Sequence, residues 1–451
     1  MISRREVLLA GVATVGATRW RLGRSPQFRP VPSPAQLAWQ RDELALFLHF
    51  GVNTFTDREW GDGREDPGIF APTALDARQW ARTAKAAGFR AMILTAKHHD
   101  GFCLWPSRTT RHTVASSPWR GGTGDLVREF TDACRAEGLR TGLYCSPWDR
   151  NAPVYGDSAR YNDMFCDQVT ELLTGYGKIH EVWFDGANGE GPNGRKQVYD
   201  WPRFFGLVKK LQPDSVTFSD AGPDVRWIGN EKGVAGDPNW STVDPSAVPY
   251  PGAEGEKVIA MLQHGDPGGT VWRPGEADVS IRPGWFHHPA EDGGVKSVEE
   301  LVGLYFSSVG RNSKLLLNVP PTREGLIHPT DAERLAGMHT VLGLMFRDNH
   351  ADRRRASWQR TDDRTATLTL DLGRAVNIRI IDLAEDVSRG QVVARYVVQG
   401  EINGSWQRLS HGSTIGYRKL DQVDAREVRR LRVTIEESLD QPFPISLGCY
   451  G

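Results

Sequence analysis

Glu181-Val182-Trp183-Phe184-Asp185-Gly186 sets a short apolar run against a carboxylate and then a glycine. Read as a parallel strand buried on both faces, the run delivers Asp185 at its C-terminal end, where α/β barrels carry their reactive groups. Gly186 lets the backbone turn at once, so Asp185 can face a pocket instead of being covered. An isolated Asp-Gly at a strand end would more simply cap the next turn. Here three other apolar runs also end in polar or aromatic groups. The first gives His49-Phe50-Gly51 followed by Glu59-Trp60, the second Lys97-His98-His99-Asp100-Gly101, and the third Tyr144-Cys145-Ser146-Pro147-Trp148-Asp149. Packing alone does not require polar groups at four successive strand ends, and their convergence predicts a functional pocket.

The elements that must position these residues are legible as an alternation. Strands are expected at 44–50, 89–95, 139–145, 181–184, 215–218 and 314–319, with helices at 77–87, 125–137, 159–174, 202–211 and 298–309. Three of those helices run into glycines (Gly88, Gly138, Gly175), as C-terminal capping predicts. Repeated β-then-α units make a parallel sheet, and six or more of them close most economically as an irregular (β/α)8 TIM-type barrel. Residues 222–294 read as loop-rich. No glycine-rich phosphate loop follows the first strand, which argues against an open doubly wound sheet.

Around Arg353 the alternation stops. Thr365–Leu372 reads Thr-Ala-Thr-Leu-Thr-Leu-Asp-Leu, and similar short runs recur to Ile435, the pattern of a small all-β sandwich domain. At the other end, Arg4-Arg5 precedes a short apolar run through Ala17, the form of a twin-arginine signal for export of a folded protein. The expected division is therefore a signal and linker over 1–30, a barrel over 31–350 and a sandwich over 351–451. That apolar run is too short for a membrane span, and no other segment could serve as one. A net charge of -1 over 451 residues gives no electrostatic case for nucleic acid or an anionic membrane surface. The five cysteines show no CxxC or zinc spacing, so buried reduced thiols are expected. With 15 Trp, aromatic platforms that stack on sugar faces are available.

These motifs together resemble the retaining α-L-fucosidases of glycoside hydrolase family 29. The resemblance rests on His49-Phe50-Gly51, Glu59-Trp60, Lys97–Phe102 and Trp183–Gly186. It also takes in Trp227-Ile228-Gly229-Asn230-Glu231 and Asp278–Phe286, which look like the branch that prefers α-1,3/1,4-linked fucose on Lewis-type glycans. The C-terminal Glu385-Asp386-Val387, Gly390-Gln391 and Gly412–Tyr417 are similar to a discoidin-like module. The resemblance implies that Asp185 is the nucleophile of a covalent glycosyl-enzyme and that a second carboxyl serves as acid/base. Glu231 is the candidate for that role and Glu276 the runner-up. It implies that His49, Glu59, Trp60, His98, His99, Tyr144, Trp183, Arg282 and Trp285 make up the sugar site, Arg282 either orienting a carboxylate or tying down its loop. It further implies fucosylated oligosaccharides or glycoconjugates as substrates and neither a metal nor an organic cofactor.

Three other readings differ in class. A metal-dependent hydrolase could use His49, His98, His99 and Asp185 as ligands, but adjacent strand residues point apart and no HxH or HExxH pattern occurs. A non-catalytic glycan-binding protein is disfavoured by the retained acidic residues. A different retaining glycosidase on the same fold is the closest competitor, because a fold does not set its function.

Overall fold

Leu44–Leu48 (β1) carries no polar side chain and is buried throughout, as a strand covered on both faces must be. It is one of eight parallel strands that close into a barrel in the computed structural model, which describes residues 29–451. The others in chain order are β2 (Ala91–Lys97), β3 (Arg140–Cys145), β4 (Glu181–Trp183), β5 (Val216–Ser219) and β6 (Val225–Trp227), then β9 (Gly275–Ser280) and β10 (Ser313–Asn318). Arg4 and Arg5, which carry the export expectation, lie outside the described residues.

The helices start where local chemistry dictates. α1 (Pro34–Asp42) opens with a capping box between Ser33 and Gln36. α3 (Ala77–Ala86), α4 (Leu126–Glu137), α5 (Ser158–Gly175) and α6 (Trp201–Leu211) follow the single-turn α2 (Val52–Thr56), and each has an aspartate N-cap that accepts a hydrogen bond from an amide of its first turn. α1 is not among the expected helices: Pro34, within the expected barrel domain, occupies its first position. It closes the base of the barrel, where the Gln36 amide donates to the carbonyls of Asp224 (2.7 Å) and Trp272 (2.8 Å).

The region read as loop-rich contains two barrel strands. β6 is only three residues long, and β9 reads Gly-Glu-Ala-Asp-Val-Ser, too acidic to look like a buried strand. Its charges are matched from elsewhere. Glu276 lies 3.5 Å from Lys314 of β10, and Asp278 accepts from the Trp227 indole at 2.7 Å. Between the two strands the chain makes an excursion in which β7 (Thr242–Val243) pairs antiparallel with β8 (Val271–Trp272) and the helix α7 (Glu256–His264) lies between them in sequence. α8 (Val298–Ser307) and α9 (Pro329–Met345) complete the outer layer.

The C-terminal strands β11 (Ala356–Arg360), β12 (Ala366–Ala384), β13 (Val393–Ile402), β14 (Ser405–Gly412), β15 (Lys419–Ser438) and β16 (Ser446–Tyr450) pair antiparallel in one sheet. The sheet encloses its own apolar cluster, including Leu370, Ile378, Tyr396, Val433 and Ile435. A register shift between Ile378 and Ile380 reverses the alternation of β12. Ile381 and Leu383 then face the sandwich core while Ile380 joins Leu420 and Tyr450 in the apolar layer between the barrel strands and their helices. The junction is also polar: Asn312 donates to the Asn239 carbonyl (3.0 Å) and accepts from the Tyr417 amide (2.7 Å). All five cysteines are buried free thiols.

Candidate active site

Phe184 is the last apolar residue of the β4 segment, and Asp185 follows at the C-terminal mouth of the barrel. Its carboxylate is held by two donors: Oδ2 accepts from the Tyr144 hydroxyl at 3.1 Å and Oδ1 from the Ala187 amide at 2.7 Å. Gly186 permits this close turn. A Cβ there would lie 2.4 Å from Asp220 Oδ2 and 2.5 Å from the Gly252 amide nitrogen. Trp183, just before, floors the pocket; its indole stacks on Phe218 at 4.0 Å and donates to Glu276 at 3.1 Å.

Three histidines stand over this floor. His49 Nδ1 lies 2.8 Å from Asn318 Oδ1. The Asn318 amide donates to Ser280 Oγ (2.9 Å) and to the Trp285 carbonyl (2.8 Å), so its oxygen is the acceptor and His49 carries its proton on Nδ1. His99 obeys the same logic. Ser146 donates to the Trp148 carbonyl at 2.8 Å, so its oxygen accepts from His99 Nδ1 at 2.7 Å. His99 Nε2 then carries a lone pair, 3.9 Å from Asp185. His98 packs on His99 with ring centroids 4.1 Å apart. Burial depresses all three, His49 to about 3 and His98 well below its usual value, so the rings are neutral near pH 7. Neutral Nε2 acceptors suit a ligand that offers O–H donors.

Glu231 lies on the loop after β6. Its carboxyl lies close to the Trp285 indole, which favours the ionised form, and feels the charges of Asp185 and Glu59. Partial desolvation first, then those two charges, raise it from its ordinary value, against the pull of the Trp285 indole. Trp285 also packs against His49 at 5.1 Å. Trp60 is 57% exposed at the rim, edge-on to His99 and Trp148. Beside Gly186 and Asp220 a cleft of about 810 Å³ opens, with Trp227 and Tyr250 in its wall.

The family follows from comparison with known proteins. The α-L-fucosidase family model matches residues 65–344. The chain belongs to the α-L-fucosidase family. Alpha-L-fucosidase 1 of Arabidopsis thaliana is 40% identical over 450 residues, covering 93% of this chain and 87% of that relative. A glycoside hydrolase 29 family member from an unknown rumen bacterium is 42% identical with a TM-score of 0.87, over 94% of this chain and 78% of that one. A Ruminococcus gnavus GH29 fucosidase in complex with fucose superposes with a TM-score of 0.83 at 30% identity, over 95% of this chain and 96% of that one. The protein is thus a glycoside hydrolase of the α-L-fucosidase type on a TIM-type barrel.

Within this fucosidase site, Asp185, Tyr144, His49, His98, His99, Trp183, Trp285, Trp60 and Glu231 are gathered at one end of the barrel. Three other candidates are placed differently. Glu276 is wholly buried near the start of β9, below Trp183 and beside Lys314 and Glu181, so it does not reach the barrel mouth and cannot protonate a leaving group there. Arg282 is 1% exposed and gives its guanidinium to Asp331 (2.9 Å, two contacts) and Asp292 (2.7 Å). It ties down the loop instead of meeting sugar. Glu59 spends its carboxylate on the amides of Trp285 and Phe286 and on His288. Sequence reading passed over Asp220 and Asp278 as pocket groups. Asp278 stands in the Asp278–Phe286 motif, but only its pairing with Trp227 and its closeness to Glu231 reveal its place. Among the described residues no group of three or more His, Cys, Asp or Glu side chains has the spacing to hold a metal ion, and no helix is long and apolar enough to cross a membrane.

Proposed function

We propose that this fucosidase removes terminal α-linked L-fucose with net retention, through a covalent glycosyl-enzyme on Asp185 and with Glu231 as acid/base. The observation that carries this reading is the unequal treatment of two carboxyls that feel each other's charge. Asp185 is held as an acceptor by Tyr144 and Ala187, whereas Glu231 is raised toward its protonated form. A retaining mechanism needs that pair, about 5–5.5 Å apart, one ionised and one protonated. Asp185 attacks the anomeric carbon as the C1–O bond breaks, and the proton of Glu231 passes to the departing oxygen. Glu231, now ionised, takes a proton from water, whose oxygen displaces Asp185 from C1. The first proton leaves with the aglycone and the second restores Glu231, so the cycle balances. The neutral Nε2 atoms of His49 and His99 accept from sugar hydroxyls, and Trp60 and Trp285 supply apolar surface.

The substrate class is fucosylated oligosaccharides or glycoconjugates, with α-1,3/1,4-linked fucose of Lewis type preferred. In support, the Trp227–Glu231 and Asp278–Phe286 stretches both contribute to the pocket, through Glu231, Trp227, Asp278 and Trp285. The C-terminal sandwich is read as a discoidin-like module, and Arg4-Arg5 as a twin-arginine export signal. Replacing both arginines with lysine should strand the enzyme in the cytoplasm; unchanged export would refute the signal.

The test is a pair of variants. Asp185→Ala should abolish turnover of every substrate, with azide restoring it as the glycosyl azide of inverted configuration. Glu231→Ala should spare the first step for aryl fucosides with good leaving groups and be rescued by azide with retained configuration. A Glu231→Ala enzyme near wild type on a Lewis-type trisaccharide would remove Glu231 from the role.

A further inference from the structure

The loop after β9 delivers Trp285 to Glu231, and the structure shows what holds that loop. Glu59, three residues past the end of α2, accepts three hydrogen bonds: the Trp285 amide, the Phe286 amide at 3.2 Å and His288 Nε2 at 2.9 Å. His288 Nδ1 meets Asp57 Oδ1 at 2.8 Å. Ionised carboxylates only accept hydrogen bonds, so a ring that contacts one through each nitrogen must carry a proton on both. The geometry therefore requires an imidazolium. Gly284 seals the cluster, since a Cβ there would lie 2.9 Å from Glu59, 3.1 Å from the His288 ring and 3.2 Å from Glu291. The charged groups that face His288 are Asp57 and Glu59 from the opposite segment and Glu291 from its own. Among the described residues no Lys or Arg pairs with these three carboxylates.

We propose that His288 is a positioning residue for Glu231: bridging Asp57 and Glu59 as a cation, it clamps the loop whose Trp285 indole lies beside the Glu231 carboxyl. The proposal rests on reading Glu231 as the acid/base. A neutral imidazole keeps a single N–H, so one of its two contacts must go and Glu59 loses its cationic partner. Burial lowers His288, but the hydrogen bonds to Glu59 and Asp57 outweigh it and raise the ring above its usual value. The clamp therefore holds to higher pH than a free imidazole would allow and is released as pH rises through the folded-state value.

The test uses the full chain with histidine labelled at Cε1 and followed by NMR, the His288 signal being assigned by its loss in His288→Gln. His288 should titrate above the value of about 6.5 for free imidazole, and Asp57→Asn should move that titration down. His288→Gln should lose about tenfold in kcat/KM on a fucosylated trisaccharide, the size of one lost charge-assisted hydrogen bond. On an activated aryl fucoside, which needs no protonation, it should stay within about twofold. His288→Lys keeps the charge without titrating near neutrality and should carry the alkaline fall of trisaccharide activity to higher pH. If His288→Gln does not fold, Asp57→Asn gives the kinetic readout as an earlier alkaline fall, and His288→Lys assigns the signal. A His288 that titrates at or below about 6.5 overturns the proposal, and so does an unchanged trisaccharide rate and pH profile in His288→Gln. A high titration with both substrates slowed alike upholds the clamp but overturns the assignment of Glu231.

Discussion

Asp185 does not stand alone at the barrel mouth; Asp220, Asp278 and Glu231 crowd the same space. Burial raises Asp220 to about 7, with the charge of Asp185 adding to it and the Gly252 amide opposing. A folded-state value above that of free aspartate means the folded chain keeps a proton that the unfolded chain has already released. Stability from this group is therefore full at pH below about 4 and is lost as pH rises toward about 7. Asp220→Asn removes that loss and should raise Tm at pH 8 relative to wild type, while changing it little at pH 4. Asp100, also raised to about 7 by burial, adds a slope of the same sign, so part of the pH dependence should survive in the variant. Tm measured across pH 4–8 checks this; parallel curves for the two proteins would show that Asp220 is not the group that titrates.

At the scale of elements, two of the contacts that fix the loop between β9 and α8 carry different loads. One is the Glu59–His288 contact at the rim. The other is Arg282, buried between Asp331 of α9 and Asp292. Removing one partner of a buried pair leaves an uncompensated charge and costs about 3–5 kcal/mol. Arg282→Ala should therefore lower stability by about that amount, because Asp331 is fully buried. Well below its Tm, its KM for an aryl fucoside should stay near wild type. A large rise in KM without loss of stability would return Arg282 to the sugar site. Lysine is a poor substitute, since two parallel contacts to Asp331 require the planar fork of arginine.

For the whole molecule, the sandwich is docked by a compact polar joint. Asn312, in a left-handed conformation (φ 59°), donates to the Asn239 carbonyl, Ser241 and Gln391, and accepts from Tyr417. Lys419 reaches Asp237 at 2.6 Å, and Arg418 bridges Glu43 and Asp382. Asn312→Ala leaves buried donors and acceptors unsatisfied and should cost about 2–4 kcal/mol, with the left-handed backbone adding strain. Urea unfolding followed by tryptophan fluorescence measures it. Removing residues 351–451 should lower Tm further, because Ile380, Leu420 and Tyr450 belong to the apolar layer between the barrel strands and their helices. Equal melting with and without those residues would make the sandwich a loosely tethered passenger.

The sequence by itself determined the alternation of strands and helices, the change of pattern near Arg353, and the strand ends that carry His49, His98, His99, Tyr144 and Asp185. These are local signals: apolar runs, aspartate caps and terminal glycines act within a few residues of themselves. It did not determine that β6 and β9 are strands or that Glu276 and Arg282 are structural. A buried charge is tolerable only when a partner arrives, and the partners are Lys314 on the next strand and Asp331 on α9. Glu59 and His288 are 229 positions apart and became one contact only when the barrel closed. Tertiary structure decided which acidic residues face the pocket, because that depends on which distant cations and donors claim the others first.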